Sequence, residues 1–334
     1  MNILLTGGMG YIGSHTAVLL VNTGHQVYIY DNLCNSNEST LGRIQKITSK
    51  AIGFTLGDVR DTEKLTKVLR DQKIEAVIHL AGLKAVGESS EKPIEYYANN
   101  VQGSISLIQA MQANDIKTLV FSSSATVYGD PVYLPYDEDH PTNPTNPYGR
   151  NKLQIEEILR DLSVSDKAWK IACLRYFNPV GAHESGLIGE DPNGIPNNLM
   201  PVIGQVVAGK LPSLSIFGDD YKTPDGTGKR DYIHVMDLAE GHLAALDWLK
   251  TNPGCHTFNL GSGNSYSVLD LIHHFEEASG QSIPYQVVGR RLGDLPEYFA
   301  KADKADKVLG WKTKQKLSDI CNSSWLWIKN SQMN

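Results

Sequence analysis

The first half of the chain alternates short β-branched or leucine-rich runs with longer stretches in which apolar residues recur at helical spacing. The short runs predict strands at residues 2–6, 26–31, 52–57, 76–80, 117–122 and 170–176. The longer stretches predict helices at residues 12–23, 61–72, 93–114 and 147–163. Pro93 and Pro147 stand where two of these helices begin, and a missing N–H costs nothing at that position. Strands that alternate with helices indicate an α/β fold with a parallel sheet.

The pattern changes after residue 177. Glycine and proline are frequent through residues 178–230 without regular alternation, which is typical of a loop-rich region that shapes a ligand site. Residues 235–250 again predict a helix and 256–260 a strand. A chain of 334 residues is long enough for two domains. We predict one domain from residues 1–177 plus 230–262, and a smaller C-terminal, substrate-binding domain from residues 178–229 plus 263–334.

Composition and charge leave this picture unchanged but exclude several classes of protein. Hydrophobic residues make up 41% of the chain and charged residues 20%, as in ordinary folded proteins. The formal net charge of -6, with no long block of like charge, argues against a nucleic-acid partner. No apolar run approaches the ~20 residues that span a bilayer, and the first residues lack a secretory signal. We expect a cytoplasmic protein with no membrane partner.

Neither the cysteines nor the histidines are spaced as metal ligands. The four cysteines lie far apart with no C-x-x-C pair, and the ten histidines include no i, i+4 pair. The cysteines are Cys34, Cys173, Cys255 and Cys321. We therefore predict reduced thiols and no metal site.

A glycine-rich turn follows the first predicted strand and opens the first predicted helix. Gly8, Gly10 and Gly13 satisfy G-x-G-x-x-G, and Gly7, Gly10 and Gly13 satisfy the related G-x-x-G-x-x-G. Glycines here permit a tight turn, close approach of a pyrophosphate to backbone N–H groups, and close packing of the helix on the strand. Because strand, turn and helix occur in the required order, the pattern indicates a Rossmann-type doubly wound sheet that binds a dinucleotide.

An acidic residue at the end of the second predicted strand indicates which dinucleotide is bound. Asp31 follows Gly13 by 18 residues, and a carboxylate there can accept hydrogen bonds from the adenosine ribose hydroxyls. It would repel the 2′-phosphate of NADP, and no Arg or Lys follows it until Arg43. NAD is therefore the predicted cofactor. A solvated turn aspartate after a strand is the alternative interpretation of Asp31.

Tyr148 and Lys152 form a candidate catalytic pair. They lie four residues apart at a predicted helix start, so their side chains leave the same face. An unperturbed tyrosine has a pKa of ~10, and positive charge from Lys152 and an oxidised nicotinamide would favour the phenolate. The chain has 15 tyrosines, so the spacing alone also arises by chance. The pair, however, follows a predicted strand whose carboxyl end carries Ser124, and ligand sites in open α/β sheets lie at this end.

Ser124, Tyr148 and Lys152, in this order behind the glycine turn, resemble the catalytic set of the extended short-chain dehydrogenase/reductases. Longer runs give a closer resemblance, to the UDP-glucose 4-epimerases, along nearly the whole chain. These runs are Asp31 to Ser36, His79 to Ser89, Phe121 to Gly129, Arg175 to His183, Gly194 to Pro201 and Lys229 to Asp237. One departure from the family pattern is Leu292, where the family usually has glutamate, although the flanking Arg291 and Asp294 are kept.

The resemblance implies roles for the residues at matching positions. Tyr148 would be the base, Ser124 would hydrogen-bond the sugar O4, and Lys152 would bind the nicotinamide ribose. NAD would be lined by these three residues and by Gly7, Gly10, Tyr11, Ile12, Gly13, Asp31, Asn32, Leu33, Cys34, Asn35, Ser36, Asp58, Val59, Leu80, Ala81, Gly82, Leu83, Lys84, Asn99 and Phe177. The UDP-sugar would be held by Asn178, Asn198, Leu199, Ser215, Ile216, Phe217, Arg230, Tyr232, Arg291, Asp294 and Tyr298. Arg230 and Arg291 suit bidentate contacts with two phosphates, although each is also interpretable as a solvated surface charge.

The activity that the resemblance implies is interconversion of UDP-glucose and UDP-galactose, through reversible NAD-dependent oxidation at sugar C4 to a 4-keto intermediate. A nucleotide-sugar 4,6-dehydratase is an alternative, but it uses an acidic pair where this chain has Ala125 and Thr126. Without an acid to protonate the leaving hydroxyl, elimination is disfavoured. A non-catalytic NAD-binding regulator on the same fold is a second alternative, which would be expected to lose Ser, Tyr or Lys.

Two further expectations follow from the resemblance. The family is commonly homodimeric through the helices that match residues 93–114 and 147–163, although ordinary core packing would explain their apolar content equally well. Tyr298 resembles the narrow-pocket form that accepts plain hexoses, because a phenol ring can exclude a 2-acetamido group by volume. An aromatic packing residue is the alternative interpretation of Tyr298.

Overall fold

The structure, a computed structural model, describes residues 1–193, 196, 198–291 and 293–332. Its strands are β1 (Asn2–Thr6), β2 (Gln26–Asp31), β3 (Gly53–Leu56), β4 (Ala76–His79), β5 (Thr118–Ser124), β6 (Lys170–Tyr176), β7 (Asn178–Val180), β8 (Leu214–Phe217), β9 (Lys229–Arg230), β10 (Tyr232–His234), β11 (Gly254–Leu260), β12 (Tyr266–Ser267), β13 (Tyr285–Val288) and β14 (Glu297–Tyr298). Its α-helices are α1 (Tyr11–Asn22), α2 (Ser39–Thr48), α3 (Thr62–Asp71), α4 (Val86–Glu91), α5 (Pro93–Tyr96), α6 (Gly103–Ala113), α7 (Pro147–Ser165), α8 (Leu199–Val207), α9 (Val235–Leu249), α10 (Val268–Ser279), α11 (Asp303–Leu309) and α12 (Leu317–Gln332).

Seven parallel strands form the main sheet, in the order β11-β6-β5-β4-β1-β2-β3. The first six strands in chain order lie where the sequence predicts them, to within two residues at each end. After β3 the chain returns past β1 to form β4, so the strand order reverses between β1 and β4. A ligand crevice opens at such a reversal. The predicted Rossmann-type, doubly wound α/β fold is confirmed.

The main sheet is buried on both faces because its strands are nearly continuous apolar runs. Along β1, Ile3 and Leu5 belong to one hydrophobic cluster and Leu4 to another, as expected when successive side chains point to opposite faces. The first cluster includes residues of α1 and α9, and the second includes residues of α3, α6 and α7. Helices on both faces thus hold the strand ends, and the polar residues that follow them, in fixed places.

The predicted helix at 93–114 is helical throughout but is not a single α-helix. A π-helical turn, Tyr97–Gln102, separates α5 from α6. Asn100 lies in this turn, and its side chain accepts from the N–H of Leu83 (2.8 Å) and donates to the carbonyl of the same residue (3.0 Å). The wider turn brings the neighbouring Asn99 into the cleft described below. π-Turns inside helices are common at functional sites.

The second half of the chain is more regular than its glycine and proline content predicts. Residues 178–230 contain α8 and the short strands β7 to β9, and the pattern analysis also missed α2 and α4. A third hydrophobic cluster combines Ile203 of α8, Ile216 of β8, Phe275 of α10 and Ile320 of α12. Within the described ranges, no helix has both the length and the apolar character needed to cross a membrane.

Candidate active site

A cleft of about 1190 Å³, open to solvent, lies at the carboxyl ends of β1, β2 and β4. It is lined by most of the residues predicted for NAD: Gly7, Gly10, Tyr11, Ile12, Gly13, Asp31, Asn32, Cys34, Asn35, Ser36, Val59, Leu80, Ala81, Gly82, Lys84 and Asn99. These residues come from five separate stretches of sequence, which the parallel sheet brings to one edge. A glycine turn, a helix N-terminus and an acidic strand end that share one cleft are the features that a dinucleotide requires.

The glycine turn has the backbone geometry that the sequence pattern requires. Gly7 has a φ of 70°, in the left-handed region that favours glycine. A Cβ at Gly13 would lie 2.6 Å from the Cα of Gly8 and closer still to the carbonyl oxygen of Gly7. The helix α1 begins just after Gly10, which provides no side-chain cap. Its first N–H groups therefore face the cleft and can bind a pyrophosphate.

Asp31 is buried at the end of β2, where it organises the backbone of the cleft. Its Oδ2 accepts from the N–H of Met9 (3.0 Å), and its Oδ1 accepts from the N–H of Leu33 (2.8 Å) and the hydroxyl of Ser36 (2.9 Å). The carboxylate therefore joins the glycine turn to the loop at residues 32–36. It is more than the solvated turn residue of the alternative interpretation, and it lines the cleft where the adenosine ribose is expected.

Several of the residues predicted for NAD do not line this cleft. The residues that are not part of its lining are Leu33, Asp58, Leu83, Phe177, Ser124, Tyr148 and Lys152. Asp58 accepts hydrogen bonds from Arg60 and Asn32, and its bond with Arg60 is the main cause that holds the pKa of Asp58 below its usual range. The cleft wall does include Ser122, whose carbonyl binds Lys152, so the catalytic group adjoins the cleft.

Part of the cleft lining was not predicted from the sequence. It comprises Met9, Ser14, Tyr30, Asn37, Thr40, Arg43, Gly57, Ser122, Ile188, Gly189, Glu190, Asp191, Pro192 and Trp327. The Oε1 of Glu190 accepts from the Nζ of Lys84 (3.2 Å) and the Nδ2 of Asn198 (2.7 Å). Met9 and Ser14 adjoin the glycine motif and could have been found from it. Residues 188–192 and Trp327 come from distant parts of the chain, and no spacing rule connects them.

The catalytic candidates meet at the junction of β5 and α7. Asn146 caps α7 by accepting from the N–H of Gly149 (2.9 Å), and Pro147 occupies the first turn. Tyr148 and Lys152 follow on one face, with the Nζ of Lys152 5.7 Å from the centre of the Tyr148 ring. Lys152 is fixed by a 2.7 Å hydrogen bond to the carbonyl of Ser122. The strand β5 ends at Ser124, next to this lysine anchor.

Burial shifts the pKa values of both Tyr148 and Lys152, and a neighbouring polar or charged residue opposes each shift. Burial raises the pKa of Tyr148, and a hydrogen bond with Ser124 lowers it. Burial lowers the pKa of Lys152 to about 8, and the charge of Glu156 opposes that shift. Lys152 is therefore largely cationic at neutral pH. A Tyr148 phenolate needs the additional positive charge that an oxidised nicotinamide supplies.

Four residues predicted for the UDP-sugar form a second cluster. The hydroxyl of Tyr298 donates to the Oδ1 of Asn178 (3.0 Å), and the guanidinium carbon of Arg230 lies 4.8 Å from the centre of the Tyr298 ring. Arg230 also pairs with Asp294 (3.6 Å) and donates to the carbonyl of Leu295 (2.8 Å). Phe177 packs beside the same tyrosine, with ring centres 6.2 Å apart. This cluster begins directly after β6, whose last residues pair with the end of β5.

The other residues predicted for the UDP-sugar differ in their surroundings: some make polar or ring contacts, and others are buried in the hydrophobic core. The guanidinium carbon of Arg291 lies 3.8 Å from the centre of the Phe217 ring, and Asn198 bonds Glu190. The side chains of Ile216 and Tyr232 are buried in the third hydrophobic cluster, with Leu199 packed against it. Of these three residues, only Leu199 is partly exposed. Ser215 precedes Ile216 on β8 and is partly exposed. Gly194, Ile195 and Asn197 of the Gly194 to Pro201 run lie outside the described residues, and so does Leu292.

A buried carboxylate next to Arg230 was not predicted. The Oδ1 of Asp231 accepts from the N–H (2.7 Å) and hydroxyl (2.6 Å) of Ser262. Its Oδ2 accepts from the N–H groups of Gly263 and Ala300, each at 3.0 Å. Asp231 thus fixes three distant segments around the second cluster. The only sequence feature that marks it is its place inside the Lys229 to Asp237 run.

Within the described ranges, no three His, Cys, Asp or Glu side chains are arranged to hold a metal ion.

Comparison with known proteins identifies the family. The family model described as "NAD dependent epimerase/dehydratase family" matches residues 3–261. The chain is 55% identical to the UDP-glucose 4-epimerase of Neisseria meningitidis serogroup B, over 98% of this chain and 97% of that protein. It is 54% identical to that of Bacillus subtilis, over 98% and 96% of the two chains.

Solved structures agree with the sequence comparison. A Stenotrophomonas maltophila UDP-glucose-4-epimerase with bound NAD and formylated UDP-arabinopyranose is similar with a TM-score of 0.98 and 49% identity, over 100% of this chain and 99% of that one. The Bifidobacterium longum enzyme in complex with NAD+ and UDP gives a TM-score of 0.96 and 50% identity, over 99% of each chain. The chain therefore belongs to the NAD dependent epimerase/dehydratase family and, within it, to the UDP-glucose 4-epimerases.

Proposed function

We propose that this chain interconverts UDP-galactose and UDP-glucose by reversible, NAD-dependent oxidation of the sugar C4. The observation that carries this proposal is the position of the Tyr148–Lys152 pair. It adjoins the dinucleotide cleft through the carbonyl of Ser122 and lies on the same sheet edge as the Asn178–Tyr298–Arg230 cluster. A sugar bound between the cleft and the cluster would have its C4 hydroxyl beside the phenol.

Each catalytic side chain has a distinct task in this mechanism. Tyr148 removes the proton from the C4 hydroxyl and later returns one to the same oxygen. Ser124 hydrogen-bonds that oxygen, and Lys152 holds the nicotinamide ribose while its charge favours the phenolate. When bound, NAD would supply the acceptor for the C4 hydride and, as NADH, the donor that restores it.

The other residues of the site would bind and orient NAD and the UDP-sugar. The first turn of α1 would hold the pyrophosphate of NAD, and Asp31 would hold its adenosine ribose. Arg230 and Arg291 hold the two phosphates of the UDP group, with Asn178 and Tyr298 beside the sugar. Because the UDP end stays fixed, the keto sugar can turn within the pocket and present its other face. The product then leaves with the cofactor still in place.

We propose the domain division stated above, with residues 178–229 plus 263–334 forming a UDP-sugar-binding domain. Its support is the third hydrophobic cluster, which combines α8, β8, α10 and α12 apart from the two clusters of the main sheet. Asn178 begins one segment of this domain, and Tyr298 lies in the other.

We also propose a cytoplasmic homodimer. Exposed apolar side chains on α4, α5 and α7, such as Val86, Ile94 and Val164, are available for a contact between two copies. None of the four cysteines is in a disulfide, which suits a reducing compartment. The mass of the protein in solution, measured by light scattering, tests the dimer.

A 4,6-dehydratase is the rival enzyme, and the residue after Ser124 argues against it. Ala125 and Thr126 stand where that reaction needs acids, and the hydroxyl of Thr126 donates to the Oγ of Ser124 (3.0 Å). No acid is available there to protonate a leaving hydroxyl. The intact Ser, Tyr and Lys likewise argue against a non-catalytic regulator.

The test is incubation of the purified protein with UDP-galactose, first without and then with added NAD, followed by chromatography of the nucleotide sugars. UDP-glucose is the expected product. A 4-keto-6-deoxy sugar would indicate the dehydratase, and absence of any product even with NAD would contradict the proposal. Product that forms only with added NAD would mean that the cofactor is lost during purification.

A further inference from the structure

A buried ion pair lies directly behind the catalytic group and has no role in the mechanism above. Glu156 is 0% exposed and Arg175 is 4% exposed. The Oε1 of Glu156 accepts from the Nε of Arg175 (2.9 Å), and its Oε2 accepts from the Nη2 (2.7 Å). The same Oε1 accepts from the hydroxyl of Ser123 at 2.5 Å. Burying two charges is expensive unless the geometry is good, so the pair needs an explanation.

The three residues of this network lie on the elements that carry the catalytic side chains. Glu156 is on α7, one turn after Lys152, which is itself one turn after Tyr148. Ser123 lies on β5 between Ser122, whose carbonyl binds Lys152, and Ser124. Arg175 is directly opposite Ser123 on β6. The carboxylate of Glu156 therefore joins α7 to the end of β5 at Ser123. The two neighbours of Ser123 are Ser122, which binds Lys152, and the catalytic candidate Ser124.

We propose that Glu156 is a positioning residue of this site: its carboxylate, held by Arg175, locks α7 against the end of β5 and keeps the neighbouring Lys152 cationic. This inference rests on the proposed function, in which Lys152 acts as a cation beside Tyr148.

The charges around Lys152 support the electrostatic part of the proposal. On its own helix Lys152 is near Tyr148 and Glu156, and on β5 its Nζ lies 5.0 Å from the centre of the Phe121 ring. His79 on β4 also faces it, and burial lowers the pKa of this histidine to about 3, so His79 is neutral. Glu156 is thus the anion that offsets the burial of Lys152. Without it, the lowering effect of burial on the pKa of Lys152 is unopposed.

Arg175 makes its own contribution to the fixed geometry. Its guanidinium carbon lies 4.8 Å from the centre of the Tyr128 ring, and the hydroxyl of Tyr128 donates to the Oδ1 of Asn259 (2.6 Å). The network therefore continues to β11 at the sheet edge. A rigid chain of this kind resists the small displacements that would separate Lys152 from Tyr148.

The test is a pH titration of the holoenzyme in three forms: wild type, Glu156→Gln and Arg160→Gln. Gln keeps the shape and one acceptor of Glu156 but removes the charge. Arg160 is the matched control, because it contacts the same carboxylate (3.4 Å) from the same helix and its side chain is 44% exposed. The titration of Lys152 is followed by NMR of protein labelled at its lysine nitrogens, with Lys152→Met used only for assignment. The pH profile of kcat for UDP-galactose is measured alongside.

We expect Glu156→Gln to move the Lys152 midpoint down by roughly one pH unit. The alkaline limb of kcat should move down with it, while KM changes by less than about threefold. Arg160→Gln should leave both midpoints nearly unchanged, because its exposed charge is screened. A folded Glu156→Gln protein with an unmoved lysine midpoint overturns the proposal, and so does an equal movement in the control. A wild-type protein without epimerase activity contradicts the proposed function instead, while the lysine titration still decides this inference.

If Glu156→Gln does not fold, Ser123→Ala tests the geometric part. This variant loses only the hydroxyl that joins β5 to Glu156, so all charges remain. We expect kcat to fall on the order of three- to tenfold at an unchanged KM, with the Lys152 midpoint in place. A kcat equal to that of the wild type would overturn the proposal.

Discussion

The surroundings of Tyr148 have opposing effects on the pKa of its phenol. Burial favours the neutral phenol, whereas the hydrogen bond with Ser124 and the nearby Lys152 favour the phenolate. Burial is the larger of these effects on the pKa, so the phenolate is disfavoured unless further positive charge is present, and an oxidised nicotinamide would supply that charge.

Replacing Tyr148 by Phe tests this residue. The ring and its packing remain but the base is lost, so we expect turnover of UDP-galactose to fall roughly 10²–10⁴-fold with folding and UDP binding intact. Tyr133→Phe is the control, because that tyrosine is 42% exposed and its hydroxyl bonds only Asp137 among the described contacts. Near-normal turnover in Tyr148→Phe would remove the residue from the mechanism.

Tyr298 bears on which sugars fit. Its hydroxyl bonds Asn178 and its ring lies against Arg230 and Phe177, so it is a packing residue that also faces the substrate cluster. We expect the wild type to use UDP-GalNAc poorly, and Tyr298→Cys to admit it by removing the ring. The measurement is kcat/KM for UDP-GalNAc and UDP-galactose in both proteins. Tyr298→Phe is the matched control: it keeps the ring volume and should still exclude the acetylated sugar. A gain in the Phe variant, or none in the Cys variant, would contradict a steric role.

Among the elements, α1 depends most directly on a single small residue. Gly13 lets the helix approach the turn so closely that a Cβ would meet the backbone of Gly7 and Gly8. Backbone atoms cannot move aside as a flexible side chain can. The N-terminus of α1, where the pyrophosphate is expected to bind, can therefore lie this close to the turn only because residue 13 has no Cβ.

We expect Gly13→Ala to lower the free energy of unfolding by about 1–3 kcal/mol through overpacking and to weaken NAD binding. Gly42→Ala is the control within α2, because a Cβ there meets no atom within 4 Å. That change should be neutral or stabilise by up to about 1 kcal/mol. Urea unfolding of both variants, with and without NAD, measures the difference. Equal stability of the two variants would mean that α1 does not need the close contact.

At the scale of the whole molecule, Asp231 joins parts of the chain that are far apart in sequence. Its carboxylate receives four hydrogen bonds, from Ser262, Gly263 and Ala300. The same residue's carbonyl accepts from the Nδ2 of Asn178 (2.8 Å). The substrate cluster is therefore held by one buried group at the boundary of the two proposed domains.

Removing that carboxylate should destabilise the fold and the site together. In Asp231→Ala four donors lose their partner, and we expect a loss of about 2–5 kcal/mol in the free energy of unfolding. Asp161→Ala, a change at an exposed position on α7, should cost less than about 0.5 kcal/mol. Thermal unfolding of the two variants compares them. A loss in Asp231→Ala no larger than in the control would contradict the joining role.

The sequence by itself determined the features that depend on neighbours along the chain. The strands, the glycine turn and Asp31 follow local rules of periodicity and spacing, and Tyr148 and Lys152 share a helix face because they are one turn apart. The tertiary structure alone decided what meets across the fold. Residues 188–192 and Trp327 close the cleft, the π-turn at Tyr97–Gln102 presents Asn99, and Glu156, Arg175 and Asp231 organise the site from behind. Such contacts join segments by burial and hydrogen bonding, and since neither depends on distance along the chain, no local pattern records them.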